Sequence, residues 1–170
     1  MAIDTALLIL RVFIGLLVAA HGAQKLFGWF GGNGFAGTAK WIESQGFRPA
    51  TLWTLLAVLG EFGGGLLLAL GLLGPLGVLG IVGAMLVAVV KVHGANGFWG
   101  TKGGYEYPLV LLVVSVVLGI AGPGSYSLDG LIGLALPEPL TYIIGLVVTL
   151  IIVGLGIAVS NRRPVEQPAA

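Results

Sequence analysis

The chain contains two histidines, each near a lysine: His21 precedes Lys25 by one helical turn, and Lys91 lies just before His93. Residues four apart share a helix face, so His21 and Lys25 point the same way, and Arg11 falls on that face further back. A glycine-rich stretch after His93, with Gly94, Gly97, Gly100, Gly103 and Gly104, allows close backbone approach and leads into Tyr105, Glu106 and Tyr107. Imidazole, ammonium and phenol groups donate hydrogen bonds to carbonyl oxygens, and imidazole and carboxyl groups exchange protons. Together they suit a quinone headgroup. The expectation is a site in which His21, Lys25, Lys91, His93 and Tyr105 hold the headgroup, and His21, Lys25, His93 and Glu106 carry out the proton chemistry. Haem ligation by His21 and His93 ranks behind it, because two histidines near helix ends are all that points there. No metal site is expected, since the chain lacks the close His-x-x-x-His or Glu-x-x-His pairs of helical metal centres. The loop at 97–104 lacks the spacing of a phosphate-binding loop, and nothing resembles an activated serine. A plainer account has Lys25, Lys91 and Lys102 reaching to headgroups and setting topology, but it leaves two histidines and a glutamate unexplained.

A second set of polar residues interrupts apolar runs: Arg11, Glu61 and, in a loop at 122–129, Asp129. Charges within a span are costly unless paired, so each marks a site or an internal ion pair. Counting about 1.5 Å per residue inward along the first run and outward along the second brings Arg11 and Glu61 near one depth, which predicts a buried pair. Asp129 competes for Arg11 if its loop folds back.

These residues need a membrane to position them. Of 170 residues, 57% are apolar and 9% charged, and the mean hydropathy is +1.06. Soluble domains carry roughly a quarter charged residues. A net charge of +1 argues against nucleic acid, and the absence of cysteine excludes disulfide, thiolate-metal and iron–sulfur chemistry. Any redox role needs a borrowed carrier and an electron-donating partner. Apolar runs near the length of a span lie at about 5–23, 52–73, 76–92, 107–121 and 139–160. The first lacks a basic leader and is read as a retained span. Gly74-Pro75 predicts a tight turn that makes the second and third runs antiparallel neighbours. Lys91 ends the third run, and Lys25, Lys40, Arg48, Lys102, Arg162 and Arg163 all follow odd-numbered runs, which puts the N-terminus outside and the 161–170 tail in the cytoplasm. Residues 33–45 carry Phe35, Ala39 and Ile42 at helical spacing, as in a helix lying on the membrane surface. Trp29, Trp41, Trp53 and Trp99 are expected as interfacial anchors.

Arg11, His21-Gly22-Ala23-Gln24-Lys25-Leu26-Phe27, Gly60-Glu61-Phe62-Gly63-Gly64-Gly65, Lys91-Val92-His93, Gly104-Tyr105-Glu106-Tyr107, Gly122-Pro123-Gly124 and Ser127-Leu128-Asp129 resemble the DoxX family of small bacterial membrane proteins over about residues 5–130. The resemblance implies a four-helix bundle in the bacterial inner membrane; members are often described as oxidoreductases, some linked to quinone reduction. The fifth run and tail extend that pattern. The expected fold class is therefore an all-α membrane protein, a four-helix bundle at 1–130 with an added fifth helix. The expected function is a quinone-binding oxidoreductase subunit with a soluble redox partner. Two alternatives are a non-catalytic scaffold for a soluble redox enzyme and a small-solute or proton pathway.

Overall fold

The computed structural model of the chain describes residues 1–137 and 139–161. The expected polar tail lies outside them from residue 162 onward. All regular structure among the described residues is helical: α1 (Ala2–Phe27), α2 (Gly34–Ser44), α3 (Ala50–Leu70), α4 (Leu76–Val92), α5 (Glu106–Ala121), the short α6 (Leu128–Ile132) and α7 (Leu140–Asn161). Three helices, α1, α3 and α7, are long and apolar enough to cross a membrane. The apolar α4 and α5 are shorter, so the five apolar runs are all helical but unequal in length. Gly28 and Gly71 end α1 and α3 in the left-handed conformation that glycine adopts without strain.

Small residues set the packing. Gly65 of α3 lies against Ala19 and Gly15 of α1, and Gly22 of α1 lies against the Phe62 backbone. α3 crosses α4 where Gly60 meets Gly80 and Gly64 meets Gly77. Between helices in lipid, such approaches gain dispersion contacts that larger side chains would prevent. α4 packs on α5, and Val18, Ile81, Val82, Leu111 and Leu118 form the common core. α7 runs parallel to α4: Leu79 lies on Gly145, Gly83 meets Thr149, and the Trp53 ring covers Gly156.

The helices do not begin and end at common levels. Gly22 abuts Phe62, Lys25 reaches Glu61, and His21 meets Tyr107, so α1 stops and α5 starts level with the middle of α3. Beyond that level α3 continues for about three turns. α2 fills the space below α1, with Ile42 buried and the Thr38 hydroxyl donating to the Lys25 carbonyl at 3.3 Å.

At the opposite end the 122–129 segment does fold back, as the competing pairing of Arg11 with Asp129 required. Its carboxylate, however, accepts hydrogen bonds from the Leu73 and Gly74 backbone amides at 2.9 and 2.6 Å. Arg11 is buried and donates to the Tyr126 carbonyl. The turn residues Leu73 and Gly74 have positive φ, which leaves their N–H groups outside the helical pattern and directed at the loop. Asp129→Asn should lower stability by about 1–3 kcal/mol, since the amide retains one acceptor and sets N–H against N–H at the other position. Thermal denaturation in detergent measures it; an unchanged midpoint would mean that the turn is not clamped there.

Candidate functional site

Below the Gly60–Gly80 crossing α3 and α4 separate, and the space between them is a cavity of about 380 Å³. That is within the roughly 300–1,000 Å³ typical of small-ligand sites. Leu56, Ala57 and Glu61 form one wall, Gly83, Ala84 and Val87 the second, and Thr149, Ile152 and Val153 of α7 the third. Trp41, Phe47 and Trp53 give it an aromatic lower part, with the Phe47 and Trp53 ring centroids 5.1 Å apart.

Two irregular turns bound it. Residues Leu59–Gly63 and Ala88–Val92 are wound as π-turns, a local widening that re-aims side chains and recurs at functional sites. The first carries Glu61 and the second leads into His93. Glu61 forms a salt bridge with Lys25, whose side chain is 27% exposed against 7% for Glu61. The carboxylate is thus the more deeply buried partner. Both line the cavity, and so does His93, whose Nδ1 lies 2.7 Å from the Gly103 carbonyl.

This arrangement corrects the predicted Arg11–Glu61 pair. The depth count assumed that α1 and α3 meet the membrane boundary at adjoining ends, whereas α3 overhangs α1. Glu61 therefore faces Lys25, and Arg11 lies level with Gly71, where the two come into contact range.

The expected headgroup cluster is likewise divided. Lys25 and His93 line one cavity, but Lys25 is level with Glu61 at the top and His93 is at the bottom. Along α4, from Leu79 to His93, the lining extends for about 20 Å. A single ring meets one end at a time. His21 faces α5 rather than the cavity: its Nε2 and the Tyr107 hydroxyl are 3.1 Å apart, as are its Nδ1 and Gln24 Oε1. Lys91 donates to Asn161 Oδ1 at 2.6 Å, tying α4 to the end of α7. Tyr105 packs edge-on against Phe98, and the Glu106 carboxylate accepts from the Gly100 amide at 2.8 Å. His21, Lys91, Tyr105 and Glu106 are not among the lining residues.

Trp41, Phe47, Trp53 and the α7 wall were not legible as site residues. Of the four expected anchors, Trp53 and Trp41 line the cavity, Trp41 while also 42% exposed, and Trp29 and Trp99 are exposed and not among the lining residues. The one signal for α7 was the recurrence of Gly145, Thr149 and Gly156 on a single helical face. Among the described residues no group of three or more His, Asp or Glu gathers as metal ligands would.

A family model described as DoxX matches residues 6–94. The chain is 30% identical over 134 residues to the Escherichia coli (strain K12) protein described as inner membrane protein YqjF, an alignment covering 76% of this chain and 93% of that relative. No solved structure matches.

Proposed function

The chain belongs to the DoxX family, and on that premise we propose that it is an integral protein of the bacterial inner membrane whose cavity binds a quinone headgroup beside Lys25 and Glu61. The observation that carries this reading is a lysine–glutamate pair, its carboxylate buried and its ammonium partly so, facing a mostly apolar, aromatic-walled cavity within the bundle. The ammonium has hydrogens beyond the one directed at Glu61, and these suit a carbonyl oxygen. The carboxylate beside it suits a proton acceptor or donor. Lys25, Glu61 and the stacking surfaces of Trp41 and Trp53 thus replace the wider donor set. His93 at the lower end belongs to the same cavity but to a different part of the ligand.

All five apolar helices cross the membrane in this reading, with the lysine-rich end cytoplasmic, the N-terminus outside and the tail inside. The protein acts as the quinone-binding subunit of an oxidoreductase, and a soluble redox partner on the cytoplasmic side supplies electrons, since the chain has no cysteine of its own.

A short-chain quinone titrated into protein in nanodiscs is expected to quench tryptophan fluorescence saturably, because Trp41 and Trp53 line the cavity. Ala84→Trp, which fills the cavity from α4, should abolish saturation while the helical content and unfolding midpoint remain. Absence of saturable quenching in the unmodified protein would overturn the reading. If a soluble redox enzyme then co-purified, the scaffold alternative would take its place; proteoliposome proton flux sensitive to Glu61→Gln would favour a pathway.

A further inference from the structure

We propose that the cavity has a lateral mouth between α3 and α7, opening to the lipid, through which a membrane-dissolved ligand enters and its apolar tail remains in the bilayer. The inference rests on the quinone reading and goes beyond it in assigning the fifth helix, which lies outside the residues 6–94 matched to the family, a role in access.

A residue that lines a cavity and is also exposed on the outer surface marks the cavity's rim. Leu56 of α3 is such a residue, 41% exposed, and Ile152 of α7 is another, 46% exposed. Both are apolar and lie on helices long enough to span a bilayer, so the rim faces lipid rather than water. The Trp53 ring seated on Gly156 closes the α3–α7 gap one turn below. Above, the cavity itself closes where α3 and α4 meet at Gly60 and Gly80. On the far side α7 is held to α4 by Gly83 against Thr149 and by the Lys91–Asn161 hydrogen bond. The α4–α7 side is thereby closed, and Trp41 of α2, a lining residue 42% exposed, continues the rim at the lower, aromatic end. The level of the opening is about one to two turns from Glu61 along α3, close enough for a ring inside the mouth to reach the Lys25–Glu61 pair with its tail still outside. A water-soluble ligand has no use for a lipid-facing slot, so the shape points to an amphiphile with a polar ring and an alkyl or isoprenoid chain.

The chain has no cysteine, so Ile152→Cys provides a single attachment point at the rim. Leu155→Cys, 63% exposed and not a lining residue, provides the control on the same helix. Each variant in nanodiscs is titrated with a decyl-tailed benzoquinone before and after reaction with a bulky apolar maleimide. Labelling at Ile152→Cys is expected to weaken binding by about tenfold or more, because the plug occupies the mouth through which the ring must enter while its tail stays in lipid. Labelling at Leu155→Cys is expected to leave it unchanged. Bound quinone should also slow labelling at the first position only. Unchanged affinity after labelling at Ile152→Cys, or an equal loss at both positions, overturns the mouth while leaving the quinone reading intact. No binding by either unlabelled variant or by the unmodified protein overturns both.

Discussion

Glu61→Leu is expected to destabilise the folded protein by about 3 kcal/mol, the lower end of what removing one partner of a buried ion pair costs, because Lys25 retains partial access to solvent. The substitution strands an ammonium against apolar walls. Adding Lys25→Met should recover most of the loss, since the doubly neutral site has no charge to solvate. Unfolding in detergent, followed by circular dichroism for the two single variants and the double variant, measures the coupling. Additive losses would mean that the pair is not formed. The same experiment with Arg11→Met combined with Glu61→Leu separates the two assignments: no recovery is expected there, because Arg11 is level with Gly71 and donates to Tyr126.

The second large effect distinguishes adjacent glycines. Gly63, Gly64 and Gly65 look alike in the sequence. A Cβ at Gly63 meets nothing within 4 Å, whereas at Gly65 it would lie 2.6 Å from the Ala19 backbone nitrogen and the Gly15 carbonyl oxygen. Both atoms belong to the main chain of α1 and yield only if the helix moves. Gly65→Val is therefore expected to separate α1 from α3 and reduce the folded yield severely, by several kcal/mol in the manner of an overpacked core. Gly63→Ala should be neutral or stabilising by up to about 1 kcal/mol, the gain from replacing glycine with alanine in a helix. Limited proteolysis and thermal unfolding of the two variants give the comparison; similar behaviour would contradict the α1–α3 contact. The pair also tests the cavity, because α1 carries Lys25 to Glu61 only while that contact holds.

Much of the framework was legible because charges are scarce in a chain that is 9% charged. Lys25, Glu61 and His93 stood out without neighbours to hide them, and the Gly74-Pro75 turn marked α3 and α4 as antiparallel. Which charges meet was less readable. Pairing depends on the relative heights of helices, and apolar runs do not record that α3 overhangs α1 by several turns. His21 and Lys25 illustrate the same limit: one face of α1 borders two grooves, so neighbours on it reach Tyr107 in one direction and Glu61 in the other. The cavity's aromatic wall was hidden for another reason, since a tryptophan near a helix end, as Trp41 in α2 and Trp53 in α3 are, has the same local signature whether it faces headgroups or the interior.

The sequence by itself determined the solvent, the helical class, the apolar segments and the short list of polar residues, because each follows from local composition and the penalty for placing charge in lipid. Only the tertiary structure decided that Glu61 belongs to Lys25, that Asp129 clamps a turn, and that α7 walls a cavity. Those outcomes depend on where glycines let two backbones touch and where the helices then diverge, which is a relation between segments and not a property of any one of them.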